Sequence, residues 1–148
     1  MAISQAMCTL FKKDLLLGDH HLDTDDIRIA LYTSSASLGA TTDGYTTSNE
    51  ITNASGSAYT AGGLQLTSVA VTEDSTSGVF DAADPEWTSA SFTANGALIY
   101  NKTLYDSDNT RGAIVAVLAF GGDFTVSGGT FKIVFPAATA SNAIVRID

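Results

Sequence analysis

The sequence predicts an all-β domain: an antiparallel sandwich or jelly-roll-like fold of about eight short strands, with one N-terminal helix and a long Ser/Thr/Gly-rich arm. Three observations carry this. After Asp26 the apolar residues recur with a period near two almost everywhere, the period of a strand with one buried face. Clusters of Gly, Ser, Asn and Asp separate these runs at short intervals, which is the turn chemistry of antiparallel strands. The chain has 148 residues, the size of one domain. It can bury roughly two thirds of its unfolded surface without a disulfide or metal staple.

The first element is a predicted helix from Ser4 to Leu17 within residues 1–18, with Ser4 as N-cap and Gly18 placed to end it. Ile3, Met7, Leu10, Phe11 and Leu17 share one side of the helical projection, and Asp14 interrupts that side. Residues 26–32, DIRIALY, alternate with Ile27, Ile29 and Leu31 inward and Arg28, Ala30 and Tyr32 outward. Residues 33–63 contain no apolar run, and a connection that long is uncommon inside a compact domain. They either form short edge pieces around Tyr45 and Tyr59 or leave the domain to order against another subunit. Tyr45, Ile51 and Tyr59 are the anchors such an arm offers.

Residues 64–148 supply the main sandwich. LQLTSVAV switches parity between Leu64/Leu66 and Val69/Val71, the signature of a bulge near Thr67 and Ser68. Val79 and Phe80 make a short strand, and DPEW is an edge before Trp87 enters the core. The centre is a hairpin of Phe92–Tyr100 with Ala113–Phe120. The second of these is apolar on both faces and must be covered on both sides. Asn101–Gly112 is its loop. The pairs Gly121-Gly122 and Gly128-Gly129 bracket a short segment, DFTVS; Phe131, Ile133 and Phe135 alternate in another, and NAIVRI closes the chain.

Chemistry is sparse in this pattern. Sixteen acidic residues against seven scattered basic ones give a net charge of −9. Such a chain repels phosphate backbones, so no nucleic acid partner is expected. No apolar run reaches membrane-spanning length, so no membrane partner is expected either. The opening residues lack the basic start of a secretory leader, and the one cysteine, Cys8, fits a reducing cytoplasm as a buried apolar residue. The sequons at Asn53 and Asn101 then carry no glycan.

Two acidic segments hold residue types that bind metal. In GDHHLDTDDI the adjacent His20 and His21 diverge on any regular element, and the segment lacks zinc or calcium spacing. In DSDNTRG, Arg111 stands where a calcium loop needs glycine. No metal and no cofactor are expected. No nucleophile elbow is present, and Asp84 with Glu86 beside Trp87 lacks a second carboxylate cluster for glycoside hydrolysis. GGDFTVSGG has neither a Walker lysine nor a following helix. No catalytic residue is assigned, and the chain is read as a non-enzyme.

The phrases RIALYTSSASLGATTDGYTTSNEI, AYTAGG, WTSASFTANGALIYN and AVLAFGGDFTVSGGTFKIVFPAATASNAIVRI, together with the N-terminal helix, cover about three quarters of the chain. Laid out this way, the chain resembles a family of small virion structural proteins of tailed bacteriophages. The resemblance implies a non-enzymatic, multi-copy β protein made in the host bacterial cytoplasm and built into the virion. Its first implied role is a capsid cement or decoration protein on the capsid surface. Its partners would be the major capsid protein and further copies of itself, a homotrimer by analogy. The contacts expected are the helix face of Met7, Leu10 and Phe11 and the arm residues Tyr45, Ile51 and Tyr59. The alternative is a tail, collar or fibre component using exposed aromatics such as Tyr45, Tyr59, Trp87 and Tyr105. A carbohydrate-active enzyme on a jelly roll is the remaining alternative.

Overall fold

The computed structural model describes residues 2–107 and 113–148. The fold is mostly β, in two antiparallel sheets. The larger has the order β1-β7-β6-β2-β3, with β1 at Ala6–Met7, β2 at Ile27–Tyr32, β3 at Leu64–Gln65, β6 at Glu86–Asn101 and β7 at Ile114–Lys132. The smaller has the order β4-β5-β8, with β4 at Ala70–Asp74, β5 at Ser77–Asp81 and β8 at Val145–Ile147. Helix α1 covers Thr9–Leu16 and helix α2 covers Lys102–Ser107, the latter within the stretch expected to be loop.

The expected central hairpin is present. Leu98 lies opposite Val117 and Ile99 opposite Ala116, while β2 flanks β6 with Ala30 opposite Leu98. Its first residues, Ile114, Val115 and Val117, are fully buried, as a strand apolar on both faces requires. The expectation that Ala30 and Tyr32 point outward fails, because both are fully buried. The arm covers the face that strand alternation alone leaves to solvent.

Four boundaries differ from the sequence reading. The helix is shorter than Ser4–Leu17: Ala6 and Met7 instead pair with Val117 and Ala116 as an edge strand, and the chain turns into α1 at Cys8. The end is as expected, with Gly18 at φ +78° and its N–H donating to the Leu15 carbonyl at 3.1 Å. LQLTSVAV is two strands in different sheets, parted at Ser68, which has φ +52°. DFTVS and the start of the Phe131 segment are not separate strands but the continuation of β7. The two glycine pairs mark irregularities inside it: Phe120–Asp123 lie opposite Asn95 alone, and Gly121 and Gly128 have φ +80° and +65°.

Candidate functional site

Residues 33–63 fold back on their own domain. Tyr32 bridges to Glu50, and the Thr33 and Ile51 N–H groups donate to the Asn49 and Leu31 carbonyls at 2.9 Å each. The buried Glu50 carboxylate organises the rest. It accepts from Tyr59 Oη at 2.6 Å, Tyr45 Oη at 2.7 Å and the Gly62 N–H at 2.8 Å. Tyr59 Oη in turn accepts from the Leu31 N–H at 3.0 Å, and Tyr100 Oη donates to the Gly62 carbonyl at 2.6 Å. Tyr45 stacks on Tyr100 at 4.5 Å and meets Tyr105 edge-on at 5.4 Å. Burial first, and then the hydrogen bond to Glu50, push the Tyr45 and Tyr59 phenols far above their ordinary range, so they stay protonated donors.

AYTAGG is therefore the lock of the arm. Gly63 has φ +79°, and a Cβ there would lie 2.0 Å from the Ile29 carbonyl oxygen, so no other residue fits without moving β2.

This placement turns three of the six expected contact residues inward. Phe11 and Tyr59 are fully buried and Ile51 is 5% exposed, all within the chain's own core, so they offer no surface to another molecule. Met7, Leu10 and Tyr45 are half-buried. The helix instead turns Leu16 to solvent, 90% exposed on the side opposite Phe11. Of the aromatics in the receptor-binding alternative, Trp87 joins Tyr59 inside, while Tyr45 and Tyr105 keep partial exposure.

The acidic segments have structural roles where they are described. Asn101 caps α2, its Oδ1 accepting from the Leu104 N–H at 3.1 Å, and its Nδ2 donates to Asp25 at 2.6 Å. The same Nδ2 lies 3.2 Å from His20 Nδ1, which must therefore be an acceptor. His20 is then neutral with its proton on Nε2, a buried atom with no hydrogen-bond partner among the described residues, and its ring packs edge-on to Phe11 at 4.9 Å. Burial lowers its pKa, against the pull of Asp14, Asp25 and Asp19.

Among the described residues no group of three His, Cys, Asp or Glu is placed to hold a metal ion, and no helix is long and apolar enough to cross a membrane. Asp108, Thr110 and Arg111 of DSDNTRG lie outside the described residues. Asp84 receives the Phe135 N–H at 2.9 Å and pairs with Lys132 at 3.6 Å, which makes it a strut of the C-terminal segment. Burial pushes the Cys8 thiol up to about 11, which leaves it a poor nucleophile.

The surface that remains is one the sequence pattern does not single out. Beyond the bulge at Asn95, β6 and β7 run on as a two-stranded ribbon with nothing among the described residues paired to the outer edge of β7, since β1 reaches only Ala116 and Val117. Facing pairs share a face. Trp87 with Phe131, Phe92 with Val126 and Ala94 with Phe124 make one face aromatic. Thr93 with Thr125 and Asn95 with Asp123 make the other polar, joined by side-chain hydrogen bonds of 2.8 Å each.

The aromatic face is only half covered. On β6, Tyr59 packs against Trp87 and Phe92 at ring distances of 6.3 and 6.1 Å. On β7, Phe120, Phe124, Val126 and Phe131, with Ile133 and Val134 just beyond its end, line an open groove of about 430 Å³, with Phe124 53% and Val134 74% exposed. The alternating signal is present in FTV and FKIV, but the flanking glycines conceal its continuity. A groove of this composition can bind apolar surface and holds no convergent acid, base or nucleophile. Comparison with family models, curated proteins and solved structures yields no match for this chain.

Proposed function

We propose that this chain is a non-enzymatic virion structural protein of a tailed bacteriophage, a capsid cement or decoration protein that binds the outside of the shell and reinforces it. The observation that carries the reading is the half-covered aromatic face of the ribbon. A chain that buries Tyr59, Trp87 and Phe11 so completely leaves Phe124 and Val134 in water, and exposed apolar patches on soluble domains mark interaction sites. The resemblance supports it, because WTSASFTANGALIYN and AVLAFGGDFTVSGGTFKIVFP are the two strands that build this ribbon. The net charge of −9 favours the outer side of a shell over contact with packaged DNA. Spread over many symmetric copies, a modest contact at each site shifts the shell towards its assembled form by mass action and adds avidity between neighbours.

The test compares particles with and without the protein, heated or osmotically shocked side by side. Particles lacking it should lose DNA at a lower temperature, and loss at equal rates would overturn the reading. Protein found on tails alone would transfer the assignment to a tail component.

A further inference from the structure

We infer that His20 is the pin of an acid-opened joint: when its ring takes up a second proton, the turn of residues 19–26 parts from the start of α2 while both sheets stay folded. One amide holds the joint closed. Asn101 is fully buried at the end of β6, where its Oδ1 accepts from the Leu104 N–H and its Nδ2 donates to Asp25 at 2.6 Å and to His20 Nδ1 at 3.2 Å. Two further bonds cross the same seam. The Asp26 N–H donates to Thr103 Oγ1 at 2.8 Å, and the Lys102 N–H donates to the Asp26 carbonyl at 2.7 Å. A proton on Nδ1 makes His20 a donor where Asn101 already donates. Rotating the Asn101 amide gives no relief, because Nδ2 would then confront the Leu104 N–H and Oδ1 the Asp25 carboxylate. Flipping the imidazole instead sets a ring C–H against Nδ2 and loses the bond all the same.

The charges around the ring set the direction. On α1 it faces Asp14, on its own segment Asp19 and His21, and across the turn Asp25; the three carboxylates favour the cation and His21 opposes it. Burial outweighs the carboxylates, so the closed joint binds the proton less tightly than an open one. The adjoining charges are already paired, Asp26 with Arg28 at 3.1 Å and Lys102 with Asp106 across one turn of α2. Opening stays local because α2 has little to lose. None of its residues is buried, and Tyr105 rests edge-on against Tyr45 and Tyr100 at ring distances of 5.4 and 6.3 Å. Its departure uncovers the stacked Tyr45 and Tyr100 rings. The joint lies at the opposite end of β6 from the ribbon, so the inference does not depend on the shell contact.

The experiment combines ring-nitrogen NMR with amide hydrogen exchange on the full chain, from about one pH unit above the ordinary histidine value of ~6.5 to about one unit below it. At the upper end the His20 ring should show a bare Nδ1 and a protonated Nε2. As pH falls, protection of the Lys102 and Leu104 amides, corrected for the intrinsic pH dependence of exchange, should drop by up to about tenfold, the most that one proton contributes over that range. Both amides should exchange faster than those of Leu98 and Val117 in the sheet core at every pH, the mark of a local opening. His20→Gln, neutral throughout, should hold their protection constant. The wild-type measurements need no variant, so they decide alone if His20→Gln fails to fold. A proton on Nδ1 at the upper end, protection that does not change with pH, or a drop that persists in His20→Gln overturns the inference. So does exchange of Lys102 and Leu104 only in step with the core, which would assign the effect to global unfolding.

Discussion

The arm of residues 33–63 and the β6–β7 ribbon invert what their sequences promise. The arm has almost no regular secondary structure and no apolar run, yet its polar groups converge on Glu50 and its tyrosines are locked against β2 and β6. The ribbon is regular, paired and rich in Phe and Val, yet half of its apolar face is open. Regularity satisfies backbone hydrogen bonds, whereas closure depends on what lies over the side chains. A segment can have either without the other.

The comparison breaks most readily at Gly63. Gly63→Ala forces a Cβ into the Ile29 carbonyl in a left-handed conformation, and the combined clash and strain should cost more than about 3 kcal/mol. A fall of only a degree or two in the unfolding midpoint would show that the arm is not held to β2 as described. Glu50→Ala should be next. It strands the Tyr45 and Tyr59 hydroxyls and the Gly62 N–H, and a loss of about 3 kcal/mol in denaturant unfolding is expected, at about 1 kcal/mol or more for each buried group left unpaired. Combining it with Tyr59→Phe should add less than the single effects predict, because both act on one network.

The smallest effect sharpens the closed side of the comparison, where one atom is left over. His20 is neutral in the fold and its pKa is lowered by burial, so the unfolded chain takes up the proton first as pH falls. Stability contributed by neutral His20 is complete above the ordinary histidine value of about 6.5 and declines as pH drops from there towards the folded value. Protonation of Nδ1 would also turn the Asn101 hydrogen bond into a meeting of two donors. Unfolding midpoints measured from about one unit above that value to about one and a half units below it should fall less for His20→Gln than for the wild type. Parallel curves would remove His20 from the account.

Much of the fold can be read from sequence because alternation reports burial directly. Ile27, Ile29 and Leu31 point into the core, and the pairing of the Leu98 and Val117 segments is a consequence of their double-sided apolarity. The errors share one cause, which is that local rules do not see long-range cover. Tyr32 reads as outward because nothing near it in sequence announces that Thr46 and Glu50 will arrive over it. Gly121 and Gly128 look like turn residues because a positive φ serves a bulge as well as a turn. Of the expected contact set, Phe11 stands out in sequence as an apolar residue of the helix and Ile51 and Tyr59 as anchors of an unassigned arm, and the same apolar character places all three in the core. Phe124 and Val134 are legible only as strand residues, since exposure depends on the absence of a cover.

The pairing of β2 with β6 also places a demand on biosynthesis. Ile27 must wait for Asn101, about 70 residues later in the chain, before its strand has its central neighbour. At synthesis rates of roughly 5–20 residues per second this is an interval of several seconds in which IRIALY is out of the exit tunnel without its partner. The next segment to leave the ribosome is the Ser/Thr/Gly tract, whose composition keeps the nascent chain hydrated and gives that exposed strand no apolar neighbour to mispair with. The segment that ends as the lid of the core thus begins as a spacer that protects it.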